Sequence, residues 1–401
     1  MKKQLFLFSS AVVLYFFGLY TLIRKIEPFY YYFYITSWWS YIIFLDALFS
    51  LKYKRFFVLN RYLPLLIIIS CGYWCFFELI NIRLQNWFYI NLPPEIPYRY
   101  TGYLLGFGTV LPAIYLTQGA IQSVLGKIHV KPVHVPHYSA YAITTGCIAL
   151  VFTVAAPEYC FALAWVFPLL LCDGINYLYG NNSFMGDLQE GRMEQLVSTI
   201  LSGLICGVLW EFWNYWSLTK WVYAVPFFEK GKIFEMPLAG YAGFLVFGLG
   251  TIAFKSFLHG TGTTNHGKSF VLIASIICSS MACPLIDSYI VFSYTPKTKE
   301  LAFLQPDTAN LLKKNRMSTS YEIDPRLLKK DERQSLELLL LKGLGYRNLS
   351  LLERAGIHSI EDLSRIDEAT LSTIIQEKNA RRVRIYLNAA RDYRKNISPL
   401  Y

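Results

Sequence analysis

Four polar side chains interrupt helices that are otherwise apolar. Glu78 and Asn81 lie in CGYWCFFELINIRL, and Glu211 and Asn214 lie in ICGVLWEFWNYW. Each acid precedes its amide by three residues, so on a helix the two share a face. An acid and an amide at membrane depth are costly, and such groups are read first as functional. Each pair runs into an aromatic turn, Trp87-Phe88-Tyr89 in one case and Trp221-Val222-Tyr223 in the other. A carboxyl group held out of water can act as a general acid or base. The faces of Trp and Tyr attract cations, including a developing carbocation. Asp46 and Asp173 each end a further apolar run, and Glu235 stands just before Pro237. The candidate catalytic set is therefore Glu78, Asn81, Glu211, Asn214, Asp46 and Asp173. Trp87, Tyr89, Trp221, Tyr223 and Glu235 are the candidates for holding substrate.

The order acid, amide, Trp, Tyr and then a glycine-containing helix occurs twice. Gly102 to Gly108 follows the first series and Gly240 to Gly250 the second. Trp39 precedes Asp46 by about the distance at which Trp165 precedes Asp173. This points to an internal duplication of four helices each, over roughly 4–118 and 138–258. Two copies of an even number of helices run parallel, so Glu78 and Glu211 are expected at equivalent depths about a pseudo-two-fold axis along the membrane normal.

Composition supports a membrane setting. Hydrophobic residues make up 54% of the chain and charged residues 16%, with nine Trp and thirty Tyr to populate interfacial belts. This excludes a disordered chain and an ordinary soluble enzyme. The net charge of +11 falls mainly in short loops and the tail, as topology and contact with anionic lipid require. The eight cysteines all lie in apolar segments and read as small core residues. His129, His134 and His137 fall in a proline-flanked polar connector and read as solvated rather than as metal ligands. Gly260 to Gly267 lacks the lysine and hydroxyl spacing of a phosphate loop, so neither metal nor cofactor is expected.

The expected helices cover about 4–23, 30–50, 63–82, 100–118, 138–155, 159–178, 196–217 and 236–256. The first reads as an uncleaved helix, since Tyr20 to Lys25 offers no small-residue cleavage site. A ninth apolar run, 269–293, contains Pro284 and Asp287 and can be read as spanning, broken or re-entrant. Loop charge places the N-terminus in the cytoplasm. Nine full crossings then put the tail on the opposite side.

Beyond Tyr294 the chain becomes charged and proline-punctuated, which reads as a linker over 294–334. From 335 a compact helical module begins. Leu341-Lys-Gly-Leu-Gly345 and Leu351-Leu-Glu-Arg-Ala-Gly-Ile357 resemble the glycine hairpins of helix-hairpin-helix domains. The resemblance implies a hairpin whose backbone N–H groups can meet a phosphate, with Lys342, Gly343, Gly345 and Arg347 at the contact. Lys378, Arg381, Arg382 and Arg384 follow on the last helix. Docking to a protein or membrane surface is the favoured role, with nucleic acid as the alternative.

The overall expectation is an all-α fold: a polytopic bundle of two parallel four-helix repeats (1–125 and 126–268) and one further apolar helix (269–293). A linker and a small soluble helix-hairpin-helix domain (335–401) follow. The cell membrane is the expected location, with membrane lipids and a hydrophobic small molecule as partners. Three functions compete: an intramembrane enzyme acting on an isoprenoid or lipid by carboxylic acid–base chemistry, a proton-coupled or lipid transporter, and a scaffold that recruits a partner through its tail. The repeat resembles the small integral-membrane lycopene cyclases in Glu211 with Asn214, Trp221-Val-Tyr223, and Pro237-Leu238 with Tyr241. It departs from them where acids follow the proline, since here Ala239-Gly240 stands. The runs Trp-Glu-Phe-Trp-Asn and Phe-Glu-Met-Pro-Leu also resemble a family of uncharacterised multi-pass bacterial membrane proteins.

Overall fold

The computed structural model describes residues 2–227, 231–261 and 265–396, and it is mostly helical. The apolar part contains α1 (Lys2–Ile23), α2 (Phe33–Tyr53), α3 (Leu63–Leu84), α4 (Ile96–Phe107), α5 (Val110–Leu125), α6 (Tyr138–Ala155), the single turn α7 (Pro157–Cys160), α8 (Leu163–Leu178), α9 (Phe184–Gln189), α10 (Glu194–Trp216), α11 (Tyr241–Thr261) and α12 (Asn265–Tyr289). Two small ribbons interrupt the helices. β1 (Trp87–Ile90) pairs antiparallel with β2 (Lys220–Tyr223), and β3 (Lys232–Ile233) pairs with β4 (Met236–Pro237).

Among the described residues, seven helical stretches are long and apolar enough to cross a membrane: α1, α3, α4 with α5, α6, α10, α11 and α12. The chain is thus a multi-pass helical membrane protein by length and composition. The nine expected spans differ from this in two places. The helix expected over 30–50 forms as α2, but Thr36, Ser37, Ser40 and Asp46 dilute its apolar character. The helix expected over 159–178 is shortened because α7 takes its first turn. The 16 residues of α8 reach only about 24 Å at 1.5 Å per residue. The run containing Pro284 and Asp287 is one continuous helix of 25 residues, not a broken one.

α3 and α10 run in the same direction, because each ends at the β1–β2 ribbon. α1 packs along α2, α6 along α8, α11 along α8 and α10, and α12 along α3. The contact of α3 with α12 depends on a missing side chain. A Cβ on Gly72 would sit 2.6 Å from Ser275 Cα, so only glycine allows the two backbones to approach.

The tail folds around its own core, in which Leu336, Leu344, Leu349, Leu363, Leu371, Val383 and Leu387 are buried. Its helices are α13 (Pro306–Lys314), α14 (Lys330–Leu340), α15 (Gly345–Arg354), α16 (Ile360–Arg365), α17 (Glu368–Ile375) and α18 (Ala380–Asn396). The stretch 294–334, read from sequence as a linker, carries α13 and lends Leu301, Leu312, Ile323 and Leu328 to that core.

Candidate functional site

Each amide ends its helix and begins a strand. Asn81 donates from Nδ2 to the Trp87 carbonyl at 2.9 Å and accepts at Oδ1 from the Asn86 N–H at 2.9 Å. Asn214 does the same work, donating to the Trp221 carbonyl at 3.0 Å and accepting from the Trp221 N–H at 3.0 Å. These side chains satisfy backbone groups freed where the helix stops. The turned strand is thereby laid back over the acid one helical turn earlier. Spacing of the acid and amide, read from sequence as shared function, is first a device for aiming a Trp-x-Tyr strand at a carboxyl.

Strand register does the rest. Trp87 is opposite Tyr223, and Tyr89 is opposite Trp221. Residues two apart share a face of a strand, so four aromatic side chains form one patch on the underside of the ribbon. All four line a cavity of about 120 Å³. Trp74 of α3, Trp165 of α8 and Trp210 of α10 line it too, with Tyr34, Tyr103, Phe107 and Phe244. A second cavity of about 80 Å³ shares Trp74, Trp87, Trp165, Trp210, Tyr223, Met236 and Phe244 as walls.

The two acids stand behind this patch, both fully buried together with Asn81 and Asn214. Their settings differ. Glu78 accepts from Trp74 Nε1 at 2.7 Å, from Trp87 Nε1 at 3.1 Å to each oxygen, and from Tyr89 Oη at 2.5 Å. Among the described residues Glu211 accepts from Tyr223 Oη alone, at 2.6 Å to Oε1. Its Oε2 is buried without a protein partner among the described residues. Tyr223 Oη in turn accepts from Trp221 Nε1 at 2.8 Å. Each carboxyl therefore communicates with the cavity through a phenol.

Asp46 and Asp173 are not brought to this site. Asp46 accepts from the backbone N–H groups of Phe57, Val58 and Leu59 at 2.7–3.0 Å. It thereby pins the loop that precedes α3. Glu78 lies 15 residues beyond Leu63, about 22 Å along that helix. Asp173 accepts from Phe184 N at 2.7 Å, Met185 N at 3.3 Å and Tyr138 Oη at 2.7 Å. Both acids anchor loops at the face remote from the ribbon. Asp46→Ala leaves three N–H groups without their acceptor, at about 1–3 kcal/mol each. It is expected to lower the thermal unfolding midpoint strongly. An unchanged midpoint would remove Asp46 as the anchor of that loop.

Glu235 lies in the turn between β3 and β4, outside the membrane-spanning helices. It is buried and pairs with Lys220 Nζ at 3.1 Å and with Lys342 Nζ at 2.7 Å. Burial alone would raise its pKa, but the two ammonium groups outweigh it and hold the carboxyl near 2. Glu235 is thus an ionic anchor between β2 and the tail. Met236, its neighbour, lines both cavities.

The tail docks on the upper face of the ribbon. Gly343 and Gly345 have φ of +71° and +76°, and both are buried. A Cβ on Gly343 would collide with Ile90, and one on Gly345 would lie 2.9 Å from Ser293 Cβ. Arg381 donates to the carbonyls of Leu84 and Ala224, at 2.9 Å each, and to Asn86 Oδ1 at 3.2 Å. Arg382 lies 3.9 Å over the Phe88 ring. Of the expected hairpin contacts, Lys342, Gly343 and Gly345 face the ribbon and its loops, while Arg347 is exposed.

Sequence reasoning missed Trp74, Trp165 and Trp210 as cavity walls. It also missed the pair formed by Arg99, which lines the cavity, and Asp287 of α12, at 2.7 Å. Tyr103 donates to the same acid at 2.8 Å. Trp74 had a signal in its place four residues before Glu78, on the same helix face. Among the described residues no group of three or more His, Cys, Asp or Glu is placed to hold a metal ion.

No protein-family model, curated protein or solved structure matches the chain. The resemblances seen in short runs therefore establish no family, and what stands is a multi-pass helical membrane protein.

Proposed function

We propose that the chain is an intramembrane enzyme acting on a lipophilic substrate, an isoprenoid or other lipid, in the aromatic cavity beneath the β1–β2 ribbon. The observation that carries this is the pair of phenol–carboxyl couples, Tyr89 with Glu78 and Tyr223 with Glu211, set into walls rich in aromatic rings that also carry Arg99 and Lys220. A phenol oxygen facing the cavity can take a proton from substrate while its own proton passes to the carboxyl oxygen behind it. The reverse transfer protonates substrate. Five tryptophans around the same space offer ring faces to a developing positive charge and exclude water from it.

A duplicated origin accounts for the two couples. Asp46 and Asp173 each accept from the N–H groups 11 and 12 residues onward. Asn81 and Asn214 each hold the strand that follows, and those strands pair with each other. In this reading α2 and α8 also cross, which makes nine passes and places the tail with the ribbon, on the side opposite Met1. The tail, read as a helix-hairpin-helix module, uses its hairpin to clamp the ribbon instead of a phosphate.

The test is lipid mass spectrometry on membranes holding the wild type, Tyr223→Phe and Tyr89→Phe at equal protein levels, against membranes without the chain. A lipid or polyene species that appears or vanishes only with the wild type is expected, and its mass shift identifies the reaction. Coincident profiles in all membranes, with the native lipid pool present, would remove the enzyme reading. A proton flux that accompanies transport would then have to replace it.

A further inference from the structure

A larger cavity, about 890 Å³, opens at the opposite face of the bundle, between the loop 54–62, α3, α5 and the end of α11. None of its lining residues is shared with the aromatic cavity. Its polar wall carries Arg55, Lys255 and His259 and, among the described residues, no acid. The nearby carboxylate of Asp46 has both oxygens committed to backbone N–H groups. Lys255 is partly buried and leans on the Tyr115 ring at 4.9 Å, with no carboxylate in ion-pair reach among the described residues. Arg55, which is exposed, rests on the Phe57 ring at 4.7 Å. A cation drawn out of water ordinarily has a counter-ion, and Lys255 has none among the described residues. The remaining wall is apolar, with Phe49, Leu66, Ile69 and Leu116.

We propose that this cavity binds an anionic amphiphile, with a phosphate-type oxyanion against Lys255 and Arg55 and its hydrocarbon along the apolar wall. A cation without a carboxylate partner among the described residues and an apolar wall beside it match the two ends of such a molecule. Its volume is that of a ligand site. The loop residues Lys52, Lys54 and Arg61 add the positive field that draws anionic headgroups to this face.

The test uses the full chain in nanodiscs of phosphatidylcholine alone or mixed with phosphatidylglycerol, then exchanged into detergent, with retained lipid measured by mass spectrometry. Phosphatidylglycerol is expected to be enriched about tenfold over its share of the mixture in the wild type and not in Lys255→Met. Lys255→Met removes an unpaired charge, so its thermal unfolding in phosphatidylcholine serves to show that the variant is folded. A second arm adds inorganic phosphate to protein in phosphatidylcholine and follows the unfolding temperature. Enrichment of the lipid without a response to phosphate identifies a lipid headgroup. A rise with phosphate that Lys255→Met abolishes identifies a soluble oxyanion at the same donors. Absence of both effects, or their survival in folded Lys255→Met, overturns the proposal.

Discussion

Glu211→Gln is expected to remove the lipid conversion by about 10²–10⁴-fold, the usual range for a lost general acid–base group, while the protein stays folded. The amide oxygen of glutamine can still accept from Tyr223 Oη, where Glu211 now does so at 2.6 Å. The amide nitrogen would occupy the position of Oε2, which has no protein partner among the described residues. Little packing is disturbed, but the group can no longer receive or return a proton. Tyr223→Phe cuts the same path one atom nearer the cavity and is expected to match it. Because the two act in series, Glu211→Gln combined with Tyr223→Phe is expected to cost no more than either alone.

Glu78→Gln is expected to behave differently. Four hydrogen bonds from Trp74, Trp87 and Tyr89 converge on the two oxygens of Glu78. An amide nitrogen there would face an indole N–H or a phenol as donor against donor, at full burial. The expected result is a loss of about 1–3 kcal/mol or more of stability, seen as a lower unfolding temperature and a poorer yield of folded protein. Folded but inactive Glu78→Gln alongside fully active Glu211→Gln would leave the acid–base chemistry to the Tyr89–Glu78 couple alone. Lipid mass spectrometry at matched folded-protein levels separates these results.

The contrast explains what could be read from the chain alone. Glu78, Asn81, Glu211 and Asn214 were legible because a polar pair on an apolar helix has few reasons to exist, and the Trp-x-Tyr that follows repeats in both halves. The walls around them were not legible. Trp74 had only its place one turn before Glu78 to mark it, and Trp165 and Trp210 stand on helices whose apolar residues run round most of the surface, so apolar periodicity does not mark the face that meets the cavity. Arg99 and Asp287 are 188 residues apart, and only the folded backbone shows that α12 returns beside α4. Asp46 and Asp173 illustrate the opposite error. An acid ending an apolar run reads the same whether it meets substrate or pins the next loop, and only the backbone N–H groups around it decide. Gly343 and Gly345 were legible as a glycine turn between two helices. Its covering by Ile90 and Ser293 depended on tertiary contacts with no local signature.

Glu235→Gln is expected to loosen the tail from the ribbon. One buried carboxylate serves Lys220 and Lys342, and removing it leaves both ammonium groups facing each other without an anion. Loss of one partner from a buried ion pair costs about 3–5 kcal/mol, and Lys342, with 37% of its side chain exposed, places this case at the lower end. Limited proteolysis between the ribbon and the tail is expected to speed up accordingly. The double variant Glu235→Lys with Lys342→Glu keeps the same charges in the trio and is expected to restore much of the protection, which a merely steric role for Glu235 would not allow. Acid is expected to act like the mutation. The folded carboxyl is held near 2, below its ordinary value of 4.5. The unfolded or undocked state therefore binds the proton first, and the stabilisation is complete above about pH 4.5 and fades as pH falls toward 2. Docking that is equally protease-resistant at pH 7 and pH 3 in the wild type would remove Glu235 as the anchor. Since Met236 lines both cavities and Lys220 belongs to β2, a freed tail is also expected to lower conversion in the aromatic cavity. Mass spectrometry on the Glu235→Gln membranes reads this directly: unchanged conversion with a freely cleaved tail would separate the clamp from the chemistry.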